Sequence, residues 1–93
     1  MISNNYMNDT WFVYIVECSN GTLYTGITNN LEKRIKAHNK GKGAKYTRNK
    51  TPVTLKISFK SENRSEASKL EYKIKQLKRA DKIRLINGET SIS

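Results

Sequence analysis

Tyr14-Ile15-Val16-Glu17-Cys18-Ser19-Asn20-Gly21-Thr22-Leu23-Tyr24-Thr25-Gly26-Ile27-Thr28-Asn29-Asn30-Leu31-Glu32-Lys33-Arg34-Ile35-Lys36-Ala37-His38 decides the fold. Two β-branched, tyrosine-bearing runs flank a Ser-Asn-Gly turn, which predicts a β-hairpin. The turn length sets which side chains share a face. A two-residue Asn20-Gly21 loop puts Tyr14 and Tyr24 on opposite faces. A three-residue Ser19-Asn20-Gly21 loop, with Gly21 left-handed, pairs Cys18 with Thr22. Tyr14 then faces Gly26, Val16 faces Tyr24, and both phenols share one side. Glycine opposite Tyr14 leaves room for its ring. The three-residue loop is expected. After the hairpin, Asn29 as N-cap with Glu32 three residues on opens a helix. Its buried stripe is Leu31 and Ile35. Arg34 and His38, four apart, stack beside that stripe on one face.

Outward from this stretch, Trp11-Phe12-Val13 extends the first strand towards the N-terminus, and residues 1–10 are a polar, Asn-rich tail. Towards the C-terminus the first helix ends near Asn39-Lys40-Gly41. A basic, glycine-punctuated loop follows, Gly41 to Lys50. Between Lys33 and Ser61 there are ten Lys or Arg and no acidic residue. Val53, Leu55, Ile57 and Phe59 then alternate with polar residues, the period of a half-buried strand. Pro52 before them suits a sheet edge. Asn63 and Glu66 open a helix whose apolar stripe is Ala67, Leu70, Ile74 and Leu77, with Glu71 adjoining that stripe. Truncating Leu70 or Ile57 should therefore leave a destabilising cavity. A last short helix over 81–86 packs Ile83 and Ile86 and stops at Asn87-Gly88, leaving 88–93 as a frayed tail. The expected fold is α+β: a three-stranded antiparallel sheet flanked by helices, in the order β-β-α-β-α-α, one domain over 11–87.

The 93 residues carry 18 Lys+Arg against 8 Asp+Glu, a net charge of +10. That imbalance points to a polyanion, nucleic acid above all, through counterion release. A membrane surface is disfavoured, because no basic amphipathic helix offers a Trp/Phe-rich face. One cysteine, Cys18, excludes an internal disulfide and a Cys-rich metal site and suits the cytoplasm. No apolar segment has the length of a signal-peptide core or a membrane span.

Taken singly, the site candidates have plain structural readings. Tyr14 and Tyr24 are strand tyrosines, Arg34 is a helix charge, His38 complements a helix end, and Glu71 pairs with Lys75 at i,i+4. Together they form a spaced pattern: Tyr14, ten residues to Tyr24-Thr25-Gly26, eight more to Arg34, four more to His38, then Glu71 on a later helix. This pattern resembles the GIY-YIG nuclease family, with Phe12-Val13-Tyr14 as the first motif. The likeness is greatest to its small single-domain bacterial members, which have the Tyr-Thr-Gly-Ile-Thr and Gly-Lys-Gly-Ala-Lys-Tyr-Thr runs found here at 24–28 and 41–47. It covers roughly residues 11–86.

The resemblance implies a metal-dependent endonuclease that hydrolyses phosphodiester bonds in DNA, acting in repair or recombination. By motif position, Tyr14, Tyr24, Arg34, His38 and Glu71 are its catalytic residues, with Glu71 the ligand of Mg²⁺ or Mn²⁺. Those residue types suit the chemistry. Arg34 offers a planar fork to phosphate oxygens, and one carboxylate plus waters and phosphate is an ordinary Mg²⁺ shell. A phenol acting as base must lose a proton held with a pKa near 10, which costs about 4 kcal/mol at pH 7 unless neighbours lower it. Tyr24 is the favoured phenol, and Tyr14 with His38 as proton relay is the alternative. Lys33, Lys42, Lys45, Arg48 and Lys50 are candidate phosphate contacts, and Tyr46 a candidate base-stacking ring.

The chain departs from the family at three places. Its first motif lacks the Gly and Ile of the name. Ile27 stands where some relatives have Lys, and Ile83 where some have a phosphate-contacting Asn. Two rivals stay open: a module that binds DNA or structured RNA without cutting, and a nuclease subunit that needs a partner protein. Monomer is the expected state.

Overall fold

The computed structural model describes residues 10–92; residues 1–9 of the expected tail lie outside the described residues. Strands β1 (Trp11–Glu17), β2 (Leu23–Thr28) and β3 (Thr54–Ser61) form one antiparallel sheet in the order β2-β1-β3. Helix α1 (Leu31–Asn39) follows the hairpin, and α2 (Arg64–Lys75) and α3 (Arg79–Ile86) follow β3. This is the α+β order that the sequence predicts.

β1 is central, so both its faces are covered, and its residues from Val13 to Val16 are fully buried. Val13 and Ile15 join Ala67, Ile74 and Leu85 in one cluster under α2 and α3. Tyr14 and Val16 point the other way and join Cys18 and Val53, with Leu31 and Ile35 of α1 packed on them. The sheet thus separates a larger apolar core from a second, smaller layer that holds Tyr14 and Tyr24.

The hairpin has the three-residue loop. Gly21 has φ +88°, a conformation that glycine adopts at no steric cost. The Cys18 amide donates to Thr22 O at 2.8 Å, and Tyr14 pairs with Gly26 and Val16 with Tyr24. Both tyrosines therefore sit on the α1 side.

Four local expectations are corrected. Asn30, not Asn29, caps α1: its Oδ1 accepts from the Lys33 amide at 3.1 Å, because strand pairing runs through Thr28 and delays the helix by one residue. Glu32 instead pairs with Lys36 at 3.5 Å. In β3 the alternation breaks at a register shift opposite Ile15 and Val16, where Lys56 has no partner of its own. Ile57 and Phe59 face α2, whereas Val53 packs under α1 and Leu55 is left 39% exposed. A bulge reverses the face of everything beyond it. In α3, which begins at Arg79 rather than 81, Leu85 is the buried residue and Ile83 is exposed. Past Gly88 the chain turns back, with the Glu89 amide on Arg84 O, and Ile92 packs against the core rather than fraying.

Ile74 is fully buried at the centre of the larger cluster, whereas Leu70 and Ile57 are half-buried at its rim. Ile74→Ala should thus cost about 3–4 kcal/mol and Leu70→Ala about 2 kcal/mol. Chemical denaturation would check this, and equal midpoints for the two variants would contradict the packing.

Candidate active site

The site grows from the α1 side of the hairpin. Tyr14 is fully buried, with its ring against Gly26; a Cβ at that glycine would lie 2.6 Å from the phenol oxygen and 3.1 Å from the Tyr24 ring. Gly26→Ala should consequently push both rings apart and loosen the site. Its checkable sign is a changed ring environment for Tyr14 and Tyr24 in aromatic NMR spectra of a folded protein.

α1 brings His38 and Arg34 onto the same phenol. The Tyr14 hydroxyl lies 2.9 Å from His38 Nε2, and Arg34 Nε donates to it at 3.3 Å. On the far side of the imidazole, Nδ1 is 2.8 Å from Thr47 Oγ1, which itself donates to Ala44 O at 3.0 Å. Tyr24 completes the layer: its ring meets the His38 ring edge-on at 5.5 Å and stacks on Tyr46 at 5.8 Å. Tyr14, Tyr24, Arg34 and His38, four of the five expected catalytic residues, are therefore gathered at one place.

Burial and charge act on this cluster in opposite directions. Burial pushes the Tyr14 phenol above its usual 10; the Arg34 guanidinium pulls it down, and Tyr24 and the Glu71 carboxylate push it up. The His38 imidazole is held below its usual 6.5, first by burial and then by Arg34, and so is neutral at pH 7. The hydrogen bond to Tyr14 raises the Arg34 guanidinium still further, against its own burial.

Glu71 stands apart from the ring cluster on α2, the layer across the sheet. Its carboxylate pairs with Lys75 at 3.1 Å, as the i,i+4 spacing predicts, with 22% of its side chain exposed. Its carboxylate still acts on the Tyr14 phenol, pushing it up. Among the described residues no three His, Cys, Asp or Glu side chains come together. A single carboxylate such as Glu71 could hold a divalent cation only with water and phosphate completing its shell.

The basic loop is tied down at several points. Asn39 Oδ1 accepts from the Val53 amide at 2.6 Å, the Ser19 amide donates to Lys50 O at 2.7 Å, and Thr47 is fully buried in a short 3₁₀ turn over Lys45–Thr47. Lys33, Lys42, Lys45 and Arg48 remain exposed around it. Tyr46 is less free than a base-stacking role asks. Tyr24 stacks on it and the Lys50 ammonium lies 3.7 Å from its ring centre, while 48% of the residue stays exposed, so a base would share the ring with these neighbours. Two residues escape the sequence reading. Thr47 reaches His38 through an irregular loop with no periodicity to reveal it. Lys82 lines a groove with Tyr24, Thr25, Tyr46 and Lys75, beside exposed Ile83.

Over residues 10–84 the sequence matches the GIY-YIG catalytic domain. The chain belongs to the GIY-YIG family. This is a nuclease family, and its two tyrosine motifs fall here on β1 and β2 with their phenols on one side of the sheet. A UPF0213 protein of Halobacterium salinarum is 54% identical over 70 residues, spanning 75% of this chain and 91% of its own. One from Clostridium perfringens is 54% identical over 79 residues, 85% of each chain. The solution NMR structure of a UPF0213 protein from Bacillus halodurans, 42% identical, superposes with a TM-score of 0.55 over 84% of this chain and 83% of that one. No described helix of this GIY-YIG chain is long and apolar enough to cross a membrane.

Proposed function

We propose that this protein is a divalent-metal-dependent endonuclease that hydrolyses DNA phosphodiester bonds, working as a cytoplasmic monomer in repair or recombination. The observation that carries the reading is the buried contact set in which one phenol, Tyr14, meets both a guanidinium and a neutral imidazole. A structural tyrosine needs one partner for its hydroxyl. A phenol that has to give up its proton needs an acceptor and a cation, and both are present here.

In the proposed reaction Arg34, whose Nε is on Tyr14 and whose guanidinium also meets the Tyr24 hydroxyl, offers its remaining N–H groups to the scissile phosphate. Tyr14 passes its proton to His38 and takes one from the attacking water, so the Tyr14–His38 pair is preferred to Tyr24. Among the described residues no acceptor takes the Tyr24 phenolic proton, and its ring serves as a wall of the site. The transfer is uphill in the free protein. The ordinary pKa values of phenol and imidazole already lie about 3.5 units apart, about 5 kcal/mol, and both shifts widen that gap. The phosphate-bound state must offset this cost. Glu71 suits Mg²⁺ or Mn²⁺, hard ions that accept one carboxylate and fill their shells with water and phosphate. A cation held there would neutralise charge on the leaving oxygen. Lys33, Lys42, Lys45, Arg48 and Lys50 would hold the flanking backbone.

A panel of duplex, branched and single-stranded DNA and RNA, incubated with Mg²⁺ or Mn²⁺, tests the reading. Cleavage of a DNA member that stops on chelation is the expected result. Salt-sensitive binding with no cleavage of any member would instead favour a binding module, and cleavage only with an added partner protein a nuclease subunit.

A further inference from the structure

The hydrogen bonds around His38 have a direction that the distances alone do not state. Thr47 has one hydroxyl proton, and it goes to Ala44 O at 3.0 Å. With its proton on Ala44 O, Thr47 Oγ1 accepts from His38, an arrangement that places the proton of the neutral ring on Nδ1. Nε2 is then a bare lone pair, and the Tyr14 hydroxyl 2.9 Å away must donate to it. Arg34 Nε–H, which has no lone pair to offer, donates to the phenol oxygen in turn. In that arrangement every group in the series from Arg34 to Ala44 has one role.

We propose that Thr47 is a positioning residue that selects the Nδ1–H tautomer of His38, and so makes Nε2 the acceptor of the Tyr14 proton. Three features let it do so. Thr47 and His38 are both fully buried, so water cannot exchange into either partnership. The 3₁₀ turn aligns Thr47, with its amide also on Ala44 O at 3.1 Å and its carbonyl accepting from Lys50 N at 3.0 Å. Gly43 lies flat against the imidazole: any Cβ there would run into Nδ1, Cγ and Cα of His38. The loop from Gly43 to Thr47 therefore wraps the ring and presents it a single acceptor. When the proton moves, the Tyr14 O–H bond breaks and an Nε2–H bond forms. This leaves a phenolate beside Arg34 and an imidazolium whose Nδ1–H stays on Thr47. With the opposite tautomer Nε2 would already carry hydrogen, and the transfer could not start.

The catalytic consequence rests on the function proposed above, but the test does not. His38 is the only histidine in the chain, so long-range ¹H–¹⁵N spectra of the ¹⁵N-labelled full-length protein at pH 7.5, without DNA, report its tautomer directly. Wild type and Thr47→Ser should show a protonated Nδ1 and a bare Nε2, and Tyr14→Phe should show the same. Thr47→Val should lose that preference, and its cleavage rate should fall at least tenfold at unchanged KM, with Thr47→Ser restoring it. An Nε2–H ring in wild type, a folded Thr47→Val that keeps the Nδ1–H form, or its loss in Tyr14→Phe would overturn the proposal. Should Thr47→Val fail to fold, the wild-type and Tyr14→Phe spectra still decide. A correct tautomer in a protein that cuts nothing would sink the nuclease reading and leave this one standing.

Discussion

Glu71→Gln should lower DNA cleavage about a thousandfold or more while leaving the fold intact. The side chain keeps its shape and loses only its charge, and with it the carboxylate proposed to hold the divalent cation. Metal stabilisation of a transition state amounts to several kcal/mol, and each 1.4 kcal/mol is about tenfold in rate. The fold should not notice. The Glu71–Lys75 pair is a half-exposed helical contact, and such pairs contribute only about 0.3–0.5 kcal/mol. The sign of the effect is informative too. Glu71 pushes the Tyr14 phenol up, so if that were its whole influence the substitution would ease deprotonation and raise the rate. A thousandfold fall in single-turnover cleavage, with an unchanged melting temperature, therefore speaks for the metal role.

His38→Ala should cost about 10²- to 10⁴-fold, the usual contribution of a positioned acid–base group, and should also change how the rate depends on pH. In wild type the imidazole must be neutral to accept the phenolic proton. Its pKa is held below 6.5, so activity should fall only when pH drops beneath that value and Nε2 becomes protonated. Tyr14 is held above 10, so no loss follows on the alkaline side until beyond pH 10. Because the proton stays inside the protein, the rate should be level between those limits. Without the imidazole, Tyr14 must lose its proton to solvent, and the rate should climb about tenfold per pH unit towards pH 10. A wild-type profile that already climbs in this way would transfer the role of base from the Tyr14–His38 pair to a phenol exchanging with solvent, such as Tyr24.

How much of this was legible in the sequence follows the regularity of the chain. The shared face of Tyr14 and Tyr24 could be read because one glycine, Gly21, fixed the hairpin loop, and a strand repeats every two residues. Arg34 and His38 could be placed together because a helix repeats every 3.6. Errors fell where a repeat is interrupted. Leu55 lies beyond a bulge that no residue type announces, and α3 begins two residues early and turns Ile83 outward in favour of Leu85. Thr47 was invisible for the same reason: its contact with His38 crosses a loop held by single hydrogen bonds rather than by a period. Glu71 was legible as a helical carboxylate beside an apolar stripe and as the i,i+4 partner of Lys75, but its influence on Tyr14 depends on how α2 packs on the sheet.

The central claim is that Tyr14, Arg34, His38 and Glu71 act together on one phosphodiester. Single-turnover cleavage of plasmid DNA with Mg²⁺, measured beside DNA binding for wild type, Tyr14→Phe, Arg34→Ala, His38→Ala and Glu71→Gln, tests it most directly. Wild type should nick the plasmid, and each variant should still bind DNA yet cut at least a hundredfold more slowly. Equal nicking by all five preparations would mean that something other than these side chains does the cutting, and would contradict the account.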